Sequence, residues 1–124
     1  MKKSLLLILV AILLPMTASA YDAVVDGIYY NLDKAAKTAE VTSGDNLYAG
    51  NYTIPQTITN EGVSYKVTSI GDEAFKSCQE LLSTDLPVGL LTIGKNAFEG
   101  CGLTSMVFPN SLKTIDEYAF WSCI

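Results

Sequence analysis

The stretch SIGDEAFKSC, Ser69 to Cys78, returns twice further along the chain. It reappears as TIGKNAFEGC at Thr92 to Cys101 and as TIDEYAFWSC at Thr114 to Cys123. Ile70, Ile93 and Ile115 are 23 and 22 residues apart, and Phe75, Phe98 and Phe120 keep those spacings, as do Cys78, Cys101 and Cys123. A catalytic motif has no need of three copies. A stacking motif has, because one repeat cannot bury its own apolar edge and a row of them can.

A second segment recurs between these copies: LLSTDLPVGL at Leu81 to Leu90 and LTSMVFPNSL at Leu103 to Leu112, with Pro87 and Pro109 22 residues apart. One repeat therefore reads L-x-x-φ-x-φ-P-x-x-L-x-x-I-G-x-x-A-F-x-x-C, where φ is apolar. Its first part is a strand in which Leu103, Met106 and Phe108 face inward while Thr104, Ser105 and Val107 face outward. Pro109 then turns the chain, since proline lacks a backbone donor. Leu112 and Ile115 bring the chain back across the core, and the Ala-Phe step packs on a short helical turn. Such coils stack about 4.8 Å apart through parallel strand pairing. Gly71 and Gly94, replaced by Asp116 in the third copy, read as a corner that needs a left-handed or bridging backbone.

A degenerate earlier copy starts near Ala49. IPQTI (Ile54 to Ile58) matches LPVGL and FPNSL, and Ala49 and Tyr52 fall where Leu103 and Met106 stand. An insertion, Thr59 to Val67, follows, and its Asn60-Glu61-Gly62 reads as the turn of a hairpin. Upstream, DGIYYNL and TAEVTS are β-like runs joined by DKAAK, a further hairpin. Tyr21 to Tyr48 is thus the expected N-terminal cap that shields the first coil, and residues 49–124 are the repeats. The chain stops at Ile124, in mid-coil. The expectation is a fragment of a longer array, with a partner covering the last edge as the alternative.

The first twenty residues read as a secretory leader: a basic start (Lys2, Lys3), an apolar run from Leu5 to Leu14, and Ala18-Ser19-Ala20 as the cleavage site. Ten apolar residues are too few to span a bilayer, and no later stretch is long or apolar enough for stable membrane insertion. Cleavage near Ala20 would leave 124 − 20 = 104 residues with six lysines, thirteen acidic residues, no arginine and no histidine, a formal charge of 6 − 13 = −7. Such a chain is poorly suited to nucleic acid, where phosphate neutralisation dominates affinity, and to anionic membrane surfaces. Its size fits one small domain.

The repeated pattern from Ile54 to Cys123, with proline, glycine, Ala-Phe and cysteine at fixed offsets, resembles the BspA-like leucine-rich repeats of bacterial secreted and surface proteins. VDGIYYNL followed by YKVTSIGDEAF also resembles the lead-in of such proteins. The resemblance implies an α/β leucine-rich-repeat solenoid of short parallel strands and short helical turns behind a β-hairpin-rich cap. It also implies an extracellular binding or adhesion role. Thr84, where an apolar residue is expected, and Asp116 in place of glycine depart from the pattern.

Residues of chemically reactive types read as scaffold. The cysteines share one position in successive coils, which makes them a ladder of buried thiols acting as small apolar fillers. A disulfide between neighbours is the alternative, because the coil spacing falls inside the allowed Cα range. A zinc site would lack histidine. Asp72, Lys95 and Glu117 share a repeat position and predict an alternating charge ladder, with Lys76 and Glu99 a second pair. No nucleophile–base set, phosphate loop, cofactor motif or metal motif is present, so no enzyme activity is expected. Asn51-Tyr52-Thr53 is a glycosylation sequon, relevant only in a eukaryotic secretory route. Trp121 falls where Lys76 and Glu99 stand, as an exposed binding anchor or as a contact to a further coil.

The expected function is a secreted or surface binding module whose partner is an extracellular protein, from a host matrix or a bacterial surface, or a glycan. The expected partner-binding face is the outward side of the strands: Leu82, Ser83, Asp85, Thr104, Ser105 and Val107. The alternative is a spacer or stalk in a longer surface protein.

Overall fold

The computed structural model describes residues 20–123; the expected leader up to Ser19, and Ile124, lie outside the described residues. The described residues form nine strands and no helix. β1 (Ala23–Val25), β2 (Ile28–Asp33) and β3 (Thr38–Thr42) make an antiparallel meander. Its first turn is Asp26-Gly27, with φ of 49° and 78°, the primed two-residue turn whose twist matches the flanking strands. The second is held by Asp33, whose Oδ1 accepts the amides of Ala35 and Ala36 at 3.1 and 3.0 Å.

β4 (Gly50–Thr53) leads to a second hairpin, β5 (Thr57–Asn60) and β6 (Val63–Ile70), closed by Glu61-Gly62 with φ of 51° and 78°. The far half of β6 pairs in parallel with β3, placing Ile70 opposite Val41. β7 (Leu81–Asp85) pairs in parallel with β4. β8 (Thr92–Ile93) and β9 (Thr114–Ile115) extend the larger sheet, so that Ile70, Ile93 and Ile115 lie side by side. The sheet order β1-β2-β3-β6-β8-β9, with β5 also on β6, joins the meander to the repeats without a break. The smaller sheet, β4-β7, forms another side of the coils.

The remaining side corrects the expected short helical turns, and with them the α in the α/β assignment. Residues 71–78 form consecutive tight turns, with the amides of Ala74, Lys76 and Cys78 bonded back to the carbonyls of Gly71, Glu73 and Phe75. The intervening amides of Glu73, Phe75 and Ser77 bond forward to the carbonyls of Lys95, Ala97 and Glu99 in the next coil, at 2.6–2.9 Å. The second coil repeats this, with Asn96, Phe98 and Gly100 donating to Glu117, Ala119 and Trp121. A helix satisfies its amides internally and leaves none for a neighbour. The turn ribbon divides them, half closing the turns and half stitching coil to coil.

That division needs left-handed backbone at regular places. Glu73, Asn96 and Tyr118 have φ of 59°, 57° and 59°, and Ser77, Gly100 and Ser122 have 64°, 66° and 58°. Of the left-handed or bridging backbone expected at Gly71 and Gly94, the left-handed form is not taken, because neither has a positive φ. They are glycine for lack of room. A Cβ on Gly94 would lie 2.5 Å from Asp72 Oδ1 and 2.7 Å from Asp72 N, and one on Gly71 would lie 2.9 Å from Glu40 Cδ.

The core is a continuous stack. Phe75, Phe98 and Phe120 lie nearly parallel, with centroids 4.7 and 5.0 Å apart. Tyr48 extends the column, 4.5 Å from Phe75, and Tyr29 and Tyr21 continue it into the meander. Tyr48 also ties the cap down: its hydroxyl donates to Thr42 O at 2.6 Å and accepts the Tyr29 amide at 3.0 Å. Ala49, expected inward, is exposed; a bulge between Gly50 and Asn51 shifts the register, and Tyr48 fills the core instead.

The third coil departs from the expected stacking. Leu103 to Phe108 forms no strand and makes no backbone–backbone hydrogen bond among the described residues. Its side chains keep the expected directions in part: Leu103 is buried and Met106 half-buried, but Phe108, expected inward, is 43% exposed and meets Phe120 edge-on at 5.7 Å. Parallel pairing is what is missing.

Candidate functional site

The expected face is distributed over β7 and the unpaired segment of the third coil. On β7, Leu82 is 65% exposed and Asp85 is exposed, while Ser83 is half-buried and donates to Asn51 Oδ1 at 2.7 Å. Asp85 accepts a 3.3 Å hydrogen bond from the Thr53 hydroxyl. On the third coil Thr104 and Ser105 are exposed and Val107 is 86% exposed. These six residues do not form one continuous row.

A cleft of about 380 Å³ separates the two segments. Ser83 and Asp85 stand on one lip, Ser105 and Val107 on the other. Leu82 and Thr104 are not in its lining. The cleft is pinned at both ends. Gly102 N–H bonds to Cys78 O at 3.2 Å, and the Ser111 hydroxyl accepts the Gly89 amide at 2.9 Å and donates to Leu90 O at 2.8 Å. Between these pins the third coil bows outward.

Thr84 also lines this cleft and was not among the expected site residues. Only 6% of it is exposed, and its hydroxyl has no hydrogen-bond partner among the described residues. The sequence carried a signal, a polar residue at a core position, which reads equally as a weak core contact. Buried hydroxyls are normally partnered.

Elsewhere the side chains behave as scaffold. Cys78 and Cys101 are buried free thiols and Cys123 is a half-buried one. Burial pushes the Cys78 thiol up, and it pushes Cys101 up to about 12, with Cys123 adding to the effect. The Cys101 and Cys123 sulfurs lie 3.4 Å apart, and Cys123 donates to Phe98 O at 2.9 Å.

The charge ladders form in part. Lys95 pairs with Glu117 at 3.5 Å and Lys76 with Glu99 at 3.7 Å. Asp72, expected to pair with the Lys95 ammonium, instead accepts the Lys95 backbone amide at 2.9 Å. Among the described residues no three metal-ligating side chains converge. No helix there is long and apolar enough to cross a membrane. Trp121 is 60% exposed, its ring 5.9 Å from that of Tyr118.

The comparisons agree with this architecture. None of the curated proteins searched matches the chain. A leucine-rich repeat protein from Bacteroides ovatus is 28% identical, with a TM-score of 0.67, covering 83% of this chain and 33% of its own. The chain thus spans about a third of that protein's length. A leucine-rich repeat protein from Bacteroides capillosus is 20% identical (TM-score 0.60) over 82% of this chain and 93% of its own. A protein from Faecalibacterium prausnitzii, described as a leucine rich cell surface protein, is 22% identical (TM-score 0.56) over 82% of this chain and 27% of its own. The profile of the BspA type leucine rich repeat region, six copies, matches residues 46–124. With its stacked phenylalanines and its 22- to 23-residue coils, the chain belongs to the BspA-type leucine-rich repeat family.

Proposed function

We propose that this chain is a protein-binding module displayed outside the cell, acting through the outward side of β7 and the bowed segment after Gly102. The observation that carries this reading is the exposure of Leu82 and Val107 on the two segments that flank the cleft, together with the exposed Val88 in its lining. Exposed apolar groups interspersed with Ser83, Asp85, Thr104 and Ser105 along the two segments have the mixed apolar and polar make-up of a protein interface. The leader read in residues 1–20, and the naming of the Faecalibacterium relative as a cell surface protein, support display outside the cell. A second reading, a spacer within a longer surface protein, draws on the third of the Bacteroides ovatus protein that the match covers.

The test is a screen of extracellular proteins and glycans against the immobilised chain, repeated with Leu82→Ala and Val107→Ala. Loss of at least about tenfold in affinity, as for interface residues costing more than about 1.4 kcal/mol, is expected in the doubly substituted chain. Unchanged binding to every partner found would refute this face. Binding to glycans alone would exclude a protein partner.

A further inference from the structure

We infer that the cleft between β7 and the bowed third coil is a docking site for an extended peptide segment, which enters as an added β-strand. The inference rests on the binding face proposed above and specifies what that face takes.

Both lips of the cleft present unpaired backbone. In the β4–β7 ladder the Ile54 amide bonds to Asp85 O. With Thr53 opposite Asp85 and Tyr52 opposite Thr84, this directs the main-chain groups of Ser83 and Asp85 toward β4. By alternation along the strand, those of Thr84, which lies between them, point the other way, toward the cleft. No backbone–backbone bond from the third coil meets them, and Leu103 to Phe108 has none of its own. Buried or half-buried main-chain groups of this kind are ordinarily paired. Strand addition pairs them with main-chain groups from a partner, the mode by which exposed sheet edges capture peptides.

The Thr84 hydroxyl is the independent observation. It lines the cleft, is buried and has no partner. An incoming amide or carbonyl supplies one. Charge narrows the occupant further. Asp85 is the sole charged side chain in the lining, and the chain's acidic excess reinforces it. The segment that fits therefore has β-branched residues in alternation and a lysine or arginine opposite Asp85.

The alternative occupant is the third coil itself, closing onto β7 to complete the ladder. Amide hydrogen exchange on the full chain distinguishes the two. The probe is a library of capped eight-residue peptides with alternating β-branched residues and one central lysine. A matched set carries N-methyl groups on alternate amides. In the free chain the Thr84 amide is expected to exchange faster than those of Ser83 and Asp85. The library is expected to slow it, and the N-methylated set is not.

Thr84→Val is expected to weaken peptide binding about fivefold, the worth of one hydrogen bond, while raising the urea midpoint because a buried unpaired hydroxyl is removed. Protection of the Thr84 amide in the free chain overturns the proposal, because the coil then closes by itself. So does a library that leaves its exchange unchanged. If a partner found in the surface screen loses affinity with Leu82→Ala and Val107→Ala but not with Thr84→Val or with competing library peptide, strand addition fails and the binding face stands.

Discussion

At the scale of the residue, the glycines and the buried hydroxyl and thiol groups make the sharpest demands. Gly94 sits where a neighbouring coil leaves no space for a methyl group. Gly94→Ala is expected to cost about 1–3 kcal/mol in urea unfolding, the range for forcing extra volume into packed structure. Tyr30 is buried, its hydroxyl unpartnered and pushed up to about 12 by burial. Cys101 is likewise pushed up to about 12, and burial raises Tyr48 as well. Each of these groups is neutral when protonated, so the folded chain holds the proton more tightly than the unfolded one does. Their contribution is complete below the ordinary values of 9.0 for the thiol and 10.0 for the hydroxyls, and it is lost as pH rises toward 12. Urea midpoints measured in reductant should fall steadily across that window. A flat profile would show that these groups titrate alike in both states.

At the scale of the element, the phenylalanine column and the turn ribbon carry the stack together. Phe98 is flanked by Phe75 and Phe120, so Phe98→Ala is expected to cost about 3–5 kcal/mol, the range for deleting a buried aromatic. Phe120 is half-buried with one flank toward Phe108, and Phe120→Ala should cost less. Equal losses in denaturant unfolding would contradict the stack. The column was legible in the sequence, because Ile70, Phe75 and Cys78 recur in register and only stacking requires that.

The ribbon was not legible. A small and a large apolar residue in succession fit a helical turn and a tight turn equally well. The left-handed positions carry the expected residue types only at Asn96 and Gly100; Glu73 and Tyr118 give no local warning. Glycine drew attention to Gly71 and Gly94, where the constraint the structure shows is contact between coils and not a left-handed backbone. Asp26-Gly27, by contrast, was a readable hairpin signal that the reading of DGIYYNL as one β-like run passed over. The candidate face was legible as alternation along LLSTDL. The cleft was not, since it arises from a pairing the third coil does not make.

At the scale of the whole molecule, each coil bonds only to its neighbours, so stability is a sum of coil and interface terms. The first coil is braced by the meander through β3–β6 and through Tyr48. Among the described residues the third is held through β8–β9 and the turn ribbon. The chain has one tryptophan, Trp121, and it stands on that third coil. Six of its seven tyrosines precede Phe75, in the meander and the first coil. The described residues therefore carry a pair of optical reporters, one in the third coil and one in the meander and first coil. Tryptophan emission should change at lower urea than tyrosine near-ultraviolet dichroism, and coincident curves would mean that the array melts as one unit. Light absorbed by one ring thus reads out how far cooperativity travels along a column of rings.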